Sequence, residues 1–296
     1  MGSLRILLIG HGYLGTSLAE QLHAADASVV AVHRGGPGDE PYPLLSGDVS
    51  LPGSLVAVRD ALPFGRPDAI VHCASSSRGG AETYQAVFVE GIRNLSAIFP
   101  AVPILFTSST SVYGQTDGSV VDELSDTIPD RDTGRLLLEA ESLARRNGGI
   151  ALRLAGIYGP SRSVHLKKML EGSASIEDVE PSRFLNQIHR DDAVGAILHF
   201  LRRGAENFSG RLFNVVDDTP ITQRQCYEEL AAYFGLPVPP LALPDPDRKR
   251  GWTHKIVSNS ALRATGWEPL FPSFLSAMGK DPDLVPSIRG QLPTGA

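Results

Sequence analysis

The sequence predicts an α/β protein built on a doubly wound parallel sheet. Two observations carry that expectation. Short aliphatic runs alternate with helical stretches through the first half of the chain, a pattern that places helices on both faces of a parallel sheet. The first aliphatic run also ends abruptly at a glycine cluster, where the periodicity changes from strand to helix.

That first run is Leu4 to Ile9, followed by Gly10, Gly12 and Gly15 and then by Leu14, Leu18 and Leu22 at every fourth position. Strand, tight turn and helix follow one another, the context a Gly-x-Gly-x-x-Gly dinucleotide fingerprint requires. In it the first glycine permits the turn and the second lets the backbone approach a pyrophosphate. The third brings helix and strand together, and the helix N-terminus offers N–H groups to the anion. Glycines also mark ordinary turns, but the strand before and the helix after favour nucleotide binding.

Ser28 to Val32 is a second strand, ending at His33-Arg34-Gly35-Gly36. At this strand end an acidic residue would accept from a free ribose 2′-OH, whereas an arginine accommodates a 2′-phosphate. There is no Asp or Glu, and Arg34 follows at once, so NADP(H) is expected ahead of NAD(H). Arg34 as a plain solvated loop residue is the alternative. Gly47-Asp48-Val49 then precedes a helix from Leu51 to Leu62, and Pro67 to Ala74 is a buried strand. A helix from Glu82 to Phe99 and a strand from Val102 to Thr107 complete this half. Ligands of such sheets sit at strand carboxyl ends where the order reverses, which singles out His72, Ser75, Ser108 and Ser109.

Ile150 to Leu154 is the next strand, and the chain leaves the sheet near Tyr158-Gly159-Pro160. Ser161 to Glu180 is polar, with Arg162, His165, Lys167 and Lys168 either facing an anionic group or lying on a solvated helix. Asp191 and Asp192 precede the apolar helix Ala193 to Leu201 as N-terminal caps. Leu212 to Val216 is a further strand, then comes a helix ending at Phe234 and a proline-rich turn from Pro237 to Pro246. Pro286 to Ala296 reads as disordered.

Composition narrows the partners. The 296 residues are 42% hydrophobic and 20% charged with net charge −6, which disfavours nucleic acid and an anionic membrane surface. No apolar run approaches the roughly 20 residues needed to span a bilayer. Cys73 and Cys226 have neither C-x-x-C nor metal-ligand spacing, so two reduced thiols, no metal and a cytoplasmic location are expected. A small-molecule substrate is the expected partner, and a homodimer stays open.

The motifs resemble a known group when taken together. The glycine turn, Gly47-Asp48, Val71-His72-Cys73-Ala74, Thr107 to Gly114, Leu152 to Pro160 and Ile188 to Asp192 occur in one order. In that order they resemble the extended short-chain dehydrogenase/reductases, the NAD(P)-dependent epimerase/dehydratase group. The resemblance implies a Rossmann-type domain plus a small C-terminal lobe that closes over the substrate. The dinucleotide domain would be residues 1–160 with returning segments near 183–217, and the lobe residues 161–182 and 218–296. The candidate cofactor-binding set is Gly10, Gly12, Tyr13, Leu14, Gly15, His33, Arg34, Asp48, Val49, Ala74 and Ser75. Asp48 and Val49 would lie near the adenine, and Ala74 and Ser75 would line the cofactor. In the lobe, Arg248-Lys249-Arg250 and Lys255 either grip a substrate diphosphate or are exposed charge.

The group normally carries Tyr-x-x-x-Lys after the serine strand, for acid–base chemistry and for binding the nicotinamide ribose. Here Thr133 and Leu137 occupy those two places, and neither titrates near neutral pH. Phe88 also stands where many relatives have Asn. Ser109 matches the catalytic serine position, where its hydroxyl either binds a substrate oxygen or caps a turn. Tyr113 and Tyr158 are the nearest phenols, as proton donors or as packed rings at the lobe junction, and His189 is either a packed residue supporting the site or a third candidate donor. Two functions are therefore weighed: an oxidoreductase or epimerase with a non-standard proton donor, and a catalytically silent NADP(H)-binding scaffold or redox sensor. A hydrolase is excluded by the absence of a Gly-x-Ser-x-Gly elbow.

Overall fold

Seven strands form the central sheet: β1 (Arg5–Ile9), β2 (Ser28–His33), β3 (Leu44–Ser46), β4 (Ala69–His72), β5 (Ile104–Ser109), β6 (Ile150–Leu154) and β7 (Leu212–Val215). The structure is a computed structural model that describes residues 4–36, 38–77, 79–244 and 253–292. β1, β4 and β6 are aliphatic runs with almost every residue buried, as strands covered on both faces must be. The strand order is β7-β6-β5-β4-β1-β2-β3, and the pairs β1–β2, β2–β3, β1–β4 and β4–β5 are parallel. The chain thus starts mid-sheet, runs outward to β3, then crosses back beyond β1 to β4. This is the order of a Rossmann-type doubly wound sheet, with its switch point between β1 and β4.

The chain divides into two compact units. Unit 1 comprises Met1–Val112, Pro129–Arg153 and Val194–Phe213; unit 2 comprises Tyr113–Ile128, Leu154–Ala193 and Asn214–Ala296. Helices of unit 1 bury apolar stripes on the sheet: α1 (Tyr13–Ala24) buries Leu14, Leu18 and Leu22. The helix expected from Glu82 to Phe99 is broken into two α segments, Ala81–Tyr84 and Gly91–Ile98, by a π turn at Gln85–Glu90. One extra residue in that turn shifts the buried stripe, so a regular 3.6 period does not describe it.

Unit 2 has its own core, built around Tyr158, Leu166, Met169, Tyr227, Leu230 and Phe274. Its helix Gln223–Phe234 opens with a capping box between Thr222 and Gln225 and ends at Gly235, whose φ of +64° suits the left-handed cap. Three expectations are corrected here. The proline-rich segment is not merely a turn, because Leu241–Ala242 pairs in parallel with Ile176–Glu177; Asp245 and Pro246 lie outside the described residues. The segment after Pro286 is not simply disordered. Leu284–Arg289 is a helix whose Leu284 and Ile288, four apart, are fully buried, and Pro286 falls in its first turn, where no N–H is needed. Residues 293–296 lie outside the described residues. Asp192 does not cap its helix, which begins at Arg190; its carboxylate accepts instead from the N–H groups of Leu270 and Phe271.

Among the described residues, no helix is long and apolar enough to cross a membrane, and no cluster of three or more His, Cys, Asp or Glu is suited to a metal.

Candidate active site

The switch point brings the carboxyl ends of β1 and β4 together, with Ile9 level with His72 and the Cys73 N–H donating to the Ile9 carbonyl at 2.9 Å. The three fingerprint glycines do three different jobs there. Gly10 turns the chain with φ +107°, and a Cβ on it would lie 2.5 Å from the Ala74 nitrogen. A Cβ on Gly15 would overlap the Gly10 carbonyl oxygen, so α1 sits on the turn with no room for a side chain. Gly12 is the opposite case. It is exposed and extended, and a Cβ built on it meets no heavy atom within 4 Å. Among the described residues, nothing in the packing requires glycine at position 12. Open space over a backbone at a helix N-terminus is what a pyrophosphate needs, and the first turn of α1 carries no acidic side chain to repel one. The residues present therefore fit a dinucleotide.

Around that cradle the predicted residues divide. Leu14 is buried in the helix–sheet contact and Tyr13 is half-buried beside Gly12. His33 closes the turn after β2 through a hydrogen bond between its Nε2 and the Gly36 carbonyl at 2.8 Å. Arg34 is exposed, with no hydrogen bond or ion pair to the described residues. Asp48 accepts at Oδ1 from the Ser50 N–H at 2.9 Å and the Ser50 hydroxyl at 2.7 Å, while Val49 is buried. Ser75 is exposed and its Oγ accepts from the Ser77 N–H; Ala74 is half-buried against Gly10. His72 is fully buried, bonded through Nε2 to the Val87 carbonyl, and burial pushes its pKa down to about 4. The Cys73 thiol donates to the Gly10 carbonyl at 3.3 Å, and burial pushes its pKa up to about 12, which makes it an inert thiol.

The serine strand ends in two hydroxyls with different roles. Ser109 Oγ is half-buried and accepts from the Ser111 N–H at 3.2 Å, leaving its own proton to be donated. Ser108 Oγ donates to Glu141 at 2.5 Å inside the core. Glu141 is also gripped by Arg153, whose Nη2 lies 2.7 Å from Oε2, and both side chains are at most 5% exposed. Sequence reasoning did not find this pair, although a signal existed. Glu141 is four residues after Leu137 on the buried stripe of helix Asp132–Arg146, and Arg153 interrupts an otherwise apolar strand. On the same helix Thr133 is half-buried and Leu137 is buried, so the place of the usual lysine is filled by packing. Phe88 is likewise buried, its ring against Tyr84, Phe106 and His72.

In unit 2 the three expected proton donors are all engaged or enclosed. The Tyr113 hydroxyl donates to the Asp122 carbonyl at 2.7 Å and lies 2.9 Å from Asn214 Oδ1. Tyr158 is 2% exposed with no hydrogen-bond partner for its hydroxyl among the described residues, and burial, reinforced by Asp217, Asp192 and Asp281, raises its pKa far above the ordinary phenol value. His189 bonds through Nε2 to Asp281 at 3.0 Å and accepts at Nδ1 from the Asp191 N–H, so it is the neutral Nε2–H tautomer; burial lowers its pKa. Burial also holds Asp192 up at about 6 and Asp217 well above the carboxylate range. Of the polar segment, His165 Nδ1 contacts the Tyr227 hydroxyl at 3.1 Å, Lys167 lies 3.6 Å from Glu171 and Lys168 is exposed. Arg248, Lys249 and Arg250 lie outside the described residues. Lys255 is not exposed charge: it is 4% exposed.

Known proteins share this fold. Protein YeeZ of Escherichia coli is 28% identical over 279 residues, spanning 90% of this chain and 96% of its own. The solved structure of an NAD-dependent epimerase/dehydratase homologue from Methylobacillus flagellatus is 30% identical with a TM-score of 0.77, covering 97% of this chain and 99% of that one. A Thermus thermophilus UDP-glucose 4-epimerase solved with NAD has the same fold at 18% identity, with a TM-score of 0.77 over 98% of this chain and 100% of that one. The model of the NAD-dependent epimerase/dehydratase family matches residues 6–215, and the chain belongs to that family.

Proposed function

We propose that this protein is an NADP(H)-binding oxidoreductase or epimerase of the extended short-chain type that moves its proton without the usual tyrosine. The observation that supports it best is the open backbone at Gly12, flanked by two glycines that packing alone requires. A nicotinamide cofactor bound over that turn supplies hydride transfer. The Thermus epimerase, solved in complex with NAD, supports a nicotinamide cofactor.

In this reading Gly10, Gly12, Gly15 and the first turn of α1 hold the pyrophosphate, and Ala74 and Ser75 flank it. Asp48 and Val49 take the adenine end. Arg34, exposed and without a protein partner among the described residues, pairs with the 2′-phosphate. Removing such a charge-assisted contact costs about 1.5–3 kcal/mol, or roughly 10- to 150-fold in affinity. Arg34→Ala is expected to weaken NADP(H) by that factor while leaving NAD(H) nearly unchanged in a fluorescence titration. Equal losses for both cofactors would remove Arg34 from the 2′-phosphate.

Ser109 is the predicted catalytic hydroxyl best placed to donate to a substrate oxygen, because its proton has no acceptor among the described residues. Tyr113 and Tyr158 would need their present surroundings to change before donating. Thr133 takes no proton-transfer role, since a threonine hydroxyl stays protonated near neutral pH. Thr133→Ala is expected to keep hydride transfer within about tenfold of the parent, where loss of a general acid costs about 100-fold or more. A 100-fold drop from that variant alone would assign the acid to residue 133.

The second reading, a silent NADP(H)-binding scaffold, is favoured by one observation: the lysine position of the usual pair is a buried leucine. Nicotinamide absorbance followed with a panel of aldehydes, ketones and sugar nucleotides separates the two. Any substrate-dependent change supports the enzyme, and none across the panel with the cofactor bound supports the scaffold.

A further inference from the structure

Three buried aspartates of unit 2, none more than 8% exposed, fasten one segment of the chain. The Asp192 carboxylate takes the Leu270 N–H at 2.5 Å and the Phe271 N–H at 3.1 Å. Asp217 accepts from the N–H groups of Phe274 and Thr219. Asp281 accepts from His189 Nε2 at 3.0 Å. Between these attachments the Asp218 N–H donates to the Pro272 carbonyl at 3.0 Å, and the Phe271 ring centre lies 4.2 Å from that of His189. Leu270 to Asp281 is therefore a strap held near its start, its middle and its end by acidic groups.

These acids crowd one another without a cation to balance them. Among the described residues no Lys or Arg pairs with Asp192 or Asp217. Arg190 goes to Asp191, and Arg263 to Asp218 at 3.8 Å and Glu268 at 3.6 Å. The charges of Asp191 and Asp218 bear on Asp192, and those of Asp218 and Asp192 bear on Asp217. Tyr158 feels Asp217, Asp192 and Asp281 together, and its buried hydroxyl has no hydrogen-bond partner among the described residues. At His189 burial lowers the pKa and Arg190 adds to that, while Asp191 and Asp281 oppose it. N–H donors favour an ionised carboxylate, but desolvation and like charge favour the protonated one. At Asp192 and Asp217 the second pair of effects wins.

We propose that Asp192 and Asp217 form a pH-sensitive latch: a proton kept in this cluster seats the strap 270–281 on unit 2, and its release loosens the strap. The device needs no cofactor and goes beyond the NADP(H) reading.

The sense of the pH dependence follows from linkage. An aspartate whose folded pKa stands above its ordinary 3.8 favours the seated strap fully below that value. The effect is lost as pH rises through the folded pKa, about 6 for Asp192. Asp217 acts in the same sense over a window that opens upward from 3.8. His189 acts in the opposite sense: lowered from 6.5, it favours the seated strap above that value and loses the effect as pH falls through the lowered pKa.

Amide hydrogen exchange of the full chain tests the latch from pH 5 to pH 7 in the parent, Asp192→Asn and Asp217→Asn, with exchange times scaled for intrinsic chemistry. His189 is present in all three proteins, so its opposing titration cancels when opening in the parent is divided by opening in a variant. For Asp192→Asn that ratio, read on peptides within 270–281, is expected to rise roughly tenfold from pH 5 to pH 7, the linkage of one proton between 3.8 and about 6. For Asp217→Asn it is expected to rise as well. An amide at either position meets one of its two N–H donors with an NH2 group, which shifts opening by a constant factor and leaves the slope unchanged. Carboxyl carbon NMR of the parent reads the same proton without a variant, and Asp192 is expected to titrate near pH 6. A ratio that stays flat for both variants overturns the latch, and so does an Asp192 that titrates near its ordinary 3.8. A rise shared equally by peptides of unit 1 would belong to the whole fold and overturns the strap.

Discussion

Gly12→Val is expected to abolish cofactor binding in a protein that remains folded, whereas Gly15→Val is expected to prevent unit 1 from folding. The two glycines stand three residues apart in one motif, yet their surroundings are opposite. The backbone at Gly12 has φ −119° and ψ −159°, an extended conformation open to a β-branched residue, and its built Cβ touches nothing. Valine there fills only the volume over the helix N-terminus, where the pyrophosphate approaches. At Gly15 the same change drives a side chain into the Gly10 carbonyl and against the Cys73 sulfur, 3.2 Å from the Cβ alone. The turn and the β4 end are both backbone-bonded, so neither can give way. Circular dichroism with NADPH titration checks both variants. A Gly12→Val protein that binds as tightly as the parent removes the dinucleotide from this turn, and a normally folded Gly15→Val removes the packing account.

The contrast marks how far the sequence could be read. β1, the turn and α1 were legible because strand and helix leave different periods in the residue order, and Leu14, Leu18 and Leu22 repeat at the helical one. The helix over residues 81–98 was legible in extent but not in form, since one π turn changes its phase without changing its composition. The engagement of Tyr113 by Asp122 and Asn214, the latter 101 residues away, leaves no local trace. The sequence leaves Lys255 as either a substrate-gripping or an exposed charge, and its burial follows from tertiary contacts with segments near residues 115 and 186, which leave no local trace. The missing Tyr and Lys were plain in the sequence, because there the reading depends only on which residue occupies a register position.

Removing one member of the Glu141–Arg153 pair is expected to cost far more than removing both. Arg153 Nε lies 3.0 Å from Glu141 Oε1 and its Nη2 lies 2.7 Å from Oε2, while Ser108 Oγ donates to Oε1. The pair joins helix Asp132–Arg146 to β6, the strand that follows it, and to the end of β5. Each charge is desolvated, so the attraction between them mainly offsets the cost of their burial. Arg153→Met takes the guanidinium away from a buried carboxylate, and Glu141→Leu takes away the carboxylate that the buried Arg153 grips. Either single change should destabilise unit 1 by about 3–5 kcal/mol, while replacement of a buried pair by apolar residues of similar volume is often neutral or stabilising. The double variant should therefore be much more stable than the sum of the singles predicts, the mark of strong coupling in a double-mutant cycle. Urea unfolding of the four proteins measures it. Additive losses, or single losses below about 1 kcal/mol, the range of exposed pairs, would show that the two charges are solvated rather than buried. The same pair carries Ser108, the neighbour of Ser109, so the singles should also blur the geometry at that strand end. If Ser109 binds a substrate oxygen, the single variants lose substrate-dependent cofactor turnover at urea-free stability, and the double variant recovers part of it.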